Sequence, residues 1–198
     1  MVGVPVKVNY GAGILTEVQM VQSEMDIIAQ SVKDMPLSGT MVEWGSGGST
    51  LKWLETMTDN QKLISIEHNP DWFRKVHTAV CKEYDIWPEG FTYLERPEQY
   101  IQHGYGSLIE EHPMGCAGYI NPKGHDVWNA DVYLIDGIAR AACLLTVLAK
   151  HRKLNPVIYI HDYVGREEWY DWATQYFDVE YFTEADPDNT LARFRIKE

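Results

Sequence analysis

Residues 41–50 read MVEWGSGGST, and residues 63–70 read LISIEHNP. The first stretch is a short apolar strand that breaks into a glycine-rich turn. The second is another apolar strand, closed by the carboxylate of Glu67 about 20 residues after the turn. In a parallel βαβ unit such a turn lets the backbone approach a nucleoside, and the acid at the second strand's tip accepts ribose hydroxyls. Glu43, just ahead of the first glycine, is the detail that sets this turn apart.

Outward from this unit, strands and helices alternate. Residues 41–44 read as a strand and 49–57 as its helix; 63–67 form the second strand. Asn69 is a helix cap, Pro70 fits the first turn, and Trp72, Phe73, Val76 and Val80 make a buried stripe. Residues 91–94, 131–136 (DVYLID) and 157–162 (VIYIHD) give three more strands, with a helix from about Ala139 to Lys150 between the last two. A helix carrying Trp169, Trp172, Ala173 and Tyr176 is expected next. Residues 178–183 and 190–196, separated by EADPDN, read as an antiparallel hairpin. Ahead of all this, residues 16–35 look helical. Thr16 and Gln19 offer a capping box, and Val18, Val21, Met25, Ile28 and Val32 form one apolar face. The expectation is an α/β fold: a single doubly wound domain with a mostly parallel seven-stranded sheet, an antiparallel C-terminal hairpin strand and helices on both faces. Residues 1–39 would be a lead-in and helix, and residues 40–198 the domain proper. Within it, residues 96–130 are too long for a simple connection and read either as a lid over the ligand edge or as an excursion packed by its own aromatics.

Composition narrows the function. With 198 residues, 45% of them hydrophobic, the chain can bury a substantial core. Its 17 basic and 29 acidic residues give a net charge of −12. That sign disfavours a broad nucleic-acid surface and an anionic membrane, and leaves small molecules open. Cys81, Cys116 and Cys143 are widely spaced, with no CxxC pair and no secretion signal. A cytoplasmic protein is the expectation, with Cys143 a small buried residue. A homo-oligomer is compatible with the sequence.

The turn itself, Glu43-Trp44-Gly45-Ser46-Gly47-Gly48-Ser49, argues about its ligand. A dinucleotide's pyrophosphate needs backbone N–H groups and a helix N-terminus, and a carboxylate at the mouth would repel it. An ammonium or a sulfonium would be attracted. The third glycine of a G-x-G-x-x-G pattern is also missing, with Thr50 in its place. Here the chain resembles the class I S-adenosylmethionine-dependent methyltransferases, whose first motif is an acid, then glycines at alternate positions. Ser49 stands where that motif has its last glycine. Glu67 matches the family's acid at the end of strand two, and Leu134-Ile135-Asp136-Gly137 resembles the motif ending strand four. The resemblance runs from about Thr40 to the C-terminus. It implies S-adenosylmethionine as cofactor, bound by Glu43, Gly45, Ser46, Gly47, Gly48 and Ser49, with Glu43, Gly45, Ser46 and Gly47 bordering the methionine part. Glu67 would take the ribose hydroxyls, with His68 beside them and Asp136 close by.

Methyl transfer asks a protein for alignment and sometimes a base. Asp136 and Asp162 end neighbouring strands on the ligand edge and are the candidate catalytic acids. Two such carboxylates can also hold a divalent cation, magnesium in the catechol-type O-methyltransferases that this pair resembles. The amide-bearing ligand that follows there is Tyr163 here. Arg140, four residues after Asp136, reads either as its structural partner or as an anchor for an acidic substrate group. His161 reads either as a general base or as a core or supporting histidine, and strand alternation would turn it away from Asp162. His103, His112 and His125 lack metal-ligand spacing, and Tyr100, Tyr105, Tyr119 and Trp128 either wall a pocket or pack the insertion. The sequence therefore points to a methyltransferase acting on a small molecule, including an O-methyltransferase. An NAD-binding oxidoreductase and a non-catalytic methyltransferase-like binding protein are the alternatives.

Overall fold

The computed structural model describes residues 20–96, 113–182 and 190–197. The apolar runs become strands β1 (Thr40–Trp44), β2 (Lys62–Glu67), β3 (Phe91–Glu95), β4 (Val132–Ile135), β5 (Val157–Ile160), β6 (Phe177–Tyr181) and β7 (Ala192–Ile196). They form one seven-stranded sheet in the order β3-β2-β1-β4-β5-β7-β6. The first five pair in parallel, and β7 runs antiparallel to both β5 and β6. β1, β4 and β5 are buried on both faces, and β4 and β5 are apolar throughout, whereas β1 is interrupted by Glu43. β6 is an edge, and its Asp178 and Glu180 are exposed, which guards it against pairing with another chain.

The helices are α1 (Gln22–Lys33), α2 (Gly48–Thr56), α3 (Pro70–Glu83), α4 (Ala117–Ile120) and α5 (Arg140–Lys150). Strand alternation divides the core into two layers. Met41, Leu63, Val132 and Leu134 face α1, α2 and α3. Val42, Trp44, Ile66, Tyr133 and Ile135 face α4 and α5. No helix among the described residues is long and apolar enough to cross a membrane.

Two elements differ from expectation. α1 begins at Gln22, because the Glu24 carboxylate turns back to accept the Val21 N–H (3.2 Å). The capping box expected at Thr16 and Gln19 lies outside the described residues, as do EADPDN, Tyr100, Tyr105, His103 and His112. The helix expected around Trp169 is instead two 3-10 turns, Glu167–Trp169 and Asp171–Gln175. Tyr170 and Ala173, three residues apart, are the buried positions there, and that period suits three residues per turn.

The order reverses between β1 and β4, since β1 leads outward through β2 to β3 while β4 continues to the other side. Ligands of open α/β sheets bind beyond the strand ends at such a switch point. The glycine turn leaves β1 there, and Asp136 and Gly137 leave β4 beside it.

Candidate functional site

The turn is held by close backbone approach. Gly45 has φ +90°, and a Cβ on it would lie 2.6 Å from the Gly137 nitrogen, so no side chain fits. Gly45 N–H donates to Ile66 O (2.9 Å), and Asp136 N–H donates to Trp44 O (2.8 Å). These bonds draw the ends of β2, β1 and β4 into one rim. Gly47 is more open: the nearest atoms to a Cβ there would be Ser49 Oγ at 3.9 Å and Trp72 Nε1 at 4.0 Å.

Glu67 closes the rim from β2. Its Oε2 accepts from Ser46 N (3.0 Å) and Ser46 Oγ (2.9 Å), and its Oε1 accepts from the N–H groups of His68 (2.9 Å) and Asn69 (2.8 Å). The carboxylate is almost wholly buried, and His68 Nδ1 lies 3.1 Å from its Oε1. The glycine turn and the β2 acid, 21 residues apart, are thus joined directly. Two aromatics complete the turn's outer wall. Tyr93 of β3 shares a hydrogen bond with Ser46 Oγ (2.6 Å), and the Trp72 indole donates to Ser46 O. Sequence reasoning missed both, because their contacts cross from β3 and α3.

Glu43 corrects the sequence reading. It faces the α2 layer rather than the open turn, and it is fully buried. Its Oε1 accepts from Ser49 Oγ (3.0 Å) and Trp53 Nε1 (3.0 Å), and its Oε2 from Thr50 Oγ1 (2.8 Å) and Ser65 Oγ (2.7 Å). Burial raises its pKa to about 7 against the opposing pull of those four bonds. It is therefore an anchor between β1, β2 and α2, and not a fixed negative charge presented to a ligand cation. Ser49 is turned inward with it, while Gly48 opens α2.

On the other side of the switch point, Asp136, His161 and Asp162 come together, each with a ligand-type atom within 4.8 Å of the others. The sequence reading turned His161 away from Asp162. β5 ends at Ile160, however, and Asp162 adopts φ +54°, so strand alternation no longer applies. His161 Nδ1 lies 2.7 Å from Asp136 Oδ1, and its Nε2 lies 3.2 Å from Glu24 Oε2. Both ring nitrogens thus face carboxylates and both carry protons. Burial lowers the imidazole pKa, but Asp136, Glu24 and Asp162 outweigh it and bring it to about 10. His161 is therefore an imidazolium near neutrality, unsuited to act as a general base.

Arg140 completes this cluster. It donates to Gly137 O (2.7 Å) and to His161 O, and its guanidinium lies 3.3 Å from Asp162 Oδ2 and 3.8 Å from Asp136 Oδ1. Burial works to raise the Asp162 pKa, yet His161, Arg140 and Arg166 bring it below its usual value. Glu24 also accepts from Thr190 N–H (2.7 Å), which ties α1 to the segment entering β7. Magnesium, expected as a possible ligand of Asp136 and Asp162, does not fit this arrangement. The guanidinium and the imidazolium already occupy the carboxylates, and their positive charges would oppose a dication there. Tyr163 is no substitute for the missing amide, since it is buried against Tyr170, Tyr181 and Phe194.

Within residues 113–130, Tyr119 is fully buried, with its backbone O accepting the Trp44 indole N–H (2.9 Å). Trp128 is buried against Trp44, whereas His125 is exposed. Tyr119, Ile120, Val127, Trp128 and Ala130 of this part of the insertion join the core, while residues 123–126 are exposed.

No protein-family model matches the sequence, and no curated protein matches it. Solved structures do share the fold. A methyltransferase-like protein from Silicibacter pomeroyi DSS-3 matches over 93% of this chain and 90% of its own, at 16% identity and a TM-score of 0.72. An O-methyltransferase from Bacillus cereus in complex with SAH matches over 90% and 83%, at 10% identity and 0.63. An RNA methyltransferase from Salinibacter ruber in complex with S-adenosyl-L-homocysteine matches over 91% and 95%, at 16% identity and 0.53. The chain has the class I methyltransferase fold.

Proposed function

We propose that this protein is an S-adenosylmethionine-dependent methyltransferase acting on a small molecule. One observation carries the reading: the glycine turn after β1 and the acid ending β2 meet at the switch point through the Ser46–Glu67 bonds. Solved neighbours of the same fold hold S-adenosylhomocysteine. The residues present suit such a ligand. Gly45 and Gly47 leave the turn backbone bare, Glu67 can exchange its Ser46 hydroxyl bond for ribose hydroxyls, and His68 lies beside it. Gly48 and Ser49 shape the turn from α2, and Glu43 supports it from beneath. The antiparallel β7 beside β5 and the lack of a third turn glycine favour this reading over an NAD-binding oxidoreductase.

The bound cofactor would supply the electrophilic methyl group. The chain's own task is to align the acceptor and manage its proton. Asp136 is the candidate for that contact, since it ends β4 at the rim and its side chain is 21% exposed. His161 and Arg140 are positioning residues that hold the Asp136 side chain in place at the rim, and Asp162 is held in turn by Arg140 and Arg166. The small-molecule class follows from the net charge of −12, which opposes a polyanionic acceptor.

Calorimetric titration with S-adenosylhomocysteine tests the proposal. The expected result is saturable one-site binding together with a rise in melting temperature that grows with ligand concentration. Absence of both at millimolar ligand would defeat it. Methyl transfer to a pool of small hydroxyl and amine acceptors separates an enzyme from a binding protein of the same fold.

A further inference from the structure

Tyr119 stands out among the buried polar groups. Its side chain is 1% exposed, and its hydroxyl has no hydrogen-bond partner among the described residues. The Ile138 backbone lies close enough to favour ionisation without closing a hydrogen bond. A buried donor left unpaired is destabilising, so one that persists beside the switch point calls for a partner.

Its position indicates what that partner is. The hydroxyl lies against Gly137, just beyond β4; a Cβ on Gly137 would come within 1.8 Å of it. That contact requires glycine at 137, as the Gly45 approach does from the other side. The Tyr119 ring stands edge-on to His68, with centroids 5.4 Å apart. Glu67 and Arg140 both act on the phenol, from the β2 side and the α5 side. The hydroxyl is thus placed between the two halves of the switch point. Burial, with smaller contributions from Cys143 and Glu67, raises its pKa well above the ordinary value, so it remains a neutral O–H and a donor. The Trp44 indole donates to the Tyr119 carbonyl, which ties the backbone of this residue to the end of β1.

We propose that Tyr119 is a cofactor-positioning residue whose hydroxyl donates to the amino-acid carboxylate of the S-adenosyl ligand. The inference rests on the functional reading above. The ribose end of that ligand belongs to Glu67 on β2, while Tyr119 touches the β4 end, where the amino-acid part would lie. A carboxylate is an acceptor that rewards a buried neutral donor, and the adjacent Arg140 adds positive potential.

The test compares wild type with Tyr119→Phe, using two ligands and one stability measurement. S-adenosylhomocysteine carries the carboxylate; 5′-methylthioadenosine has the same nucleoside without it. Tyr119→Phe is expected to weaken S-adenosylhomocysteine by about 10-fold to 100-fold and to leave methylthioadenosine within about twofold. The ligand-free variant should melt at or above the wild-type temperature, because an unpaired hydroxyl has been removed. Unchanged affinity for S-adenosylhomocysteine, an equal loss for both ligands, or a ligand-free variant that melts well below wild type would each overturn the role of Tyr119 alone. Failure of the wild type to bind either ligand would overturn the functional reading, and this inference with it.

Discussion

Glu43 shows how one residue can be found in the sequence and still be misread. Its place ahead of the glycines was plain, but its direction was set by strand alternation: Met41 and Glu43 face the α2 layer, where Ser65 of β2 stands in register with Glu43. The carboxyl group is raised from 4.5 to about 7. An acid with a raised native pKa binds its proton more tightly when folded, so its contribution is present at low pH and falls as pH rises from about 4.5 to about 7. For a shift of this size the loss is about 3 kcal/mol. Glu43→Gln, which keeps the size and much of the bonding, should flatten that slope. Urea unfolding of both proteins at pH 5 and pH 8 would show it: wild type is expected to lose the larger amount of stability, and equal losses would refute the assignment. His161 was misread for a different reason. Strand alternation separates His161 from Asp162 only if β5 runs on to Asp162, and β5 ends at Ile160 with a left-handed backbone at Asp162. No short-range signal in HDY announces that turn.

At the scale of elements, the central strands were legible because buried parallel strands need unbroken apolar runs, and α3 because its start is written in side-chain chemistry. Asn69 Oδ1 accepts from the N–H groups of Asp71 (2.9 Å) and Trp72 (3.1 Å), with Pro70 at the first helical position. Asn69→Ala should cost about 1 kcal/mol. Urea unfolding measures that cost, and faster amide exchange at Asp71 and Trp72 would locate it in the first turn. No measurable destabilisation would show that the cap is dispensable. The same turn carries the Trp72 indole that bonds Ser46 O, so α3 links the outer wall of the site to the helix start. What the sequence did not reveal is the packing of residues 113–130. Tyr119 is useful only through its contacts with Trp44, His68 and Gly137, which are 75, 51 and 18 positions away in the chain. No local periodicity encodes such contacts. The stretch around Trp169 failed for the opposite reason, since its aromatic spacing suited a helix and a 3-10 turn equally.

Across the whole molecule, the charged cluster beside the site joins parts that the chain holds far apart. Glu24 of α1, Asp136 after β4, His161 and Asp162 after β5, Arg140 of α5 and Thr190 before β7 are tied by ion pairs and hydrogen bonds. Half of this was written in the sequence as acid-tipped strands. The rest, Glu24 above all, depends on α1 crossing to the β5 end of the sheet. The cluster gives the protein a definite response to alkali. The native imidazole, at about 10, lies above its ordinary 6.5, so its contribution is complete below pH 6.5 and disappears as pH rises through 10. Glu43 acts in the same sense over its own, lower range. Asp162, with its pKa lowered, acts oppositely and is lost only in acid, as pH falls through its native value. A net charge of −12 adds self-repulsion that grows as the remaining basic groups lose protons. Stability should therefore be greatest in mildly acidic solution and fall steadily toward pH 10. Denaturant midpoints taken from pH 5 to pH 10 should descend, and His161→Gln should descend less steeply above pH 7 while starting lower, since Glu24 and Asp136 lose their shared cation. A wild-type midpoint that holds level from pH 7 to pH 10 would show that His161 is not charged in the folded protein, and Asp136 would then lack its cationic partner at the rim.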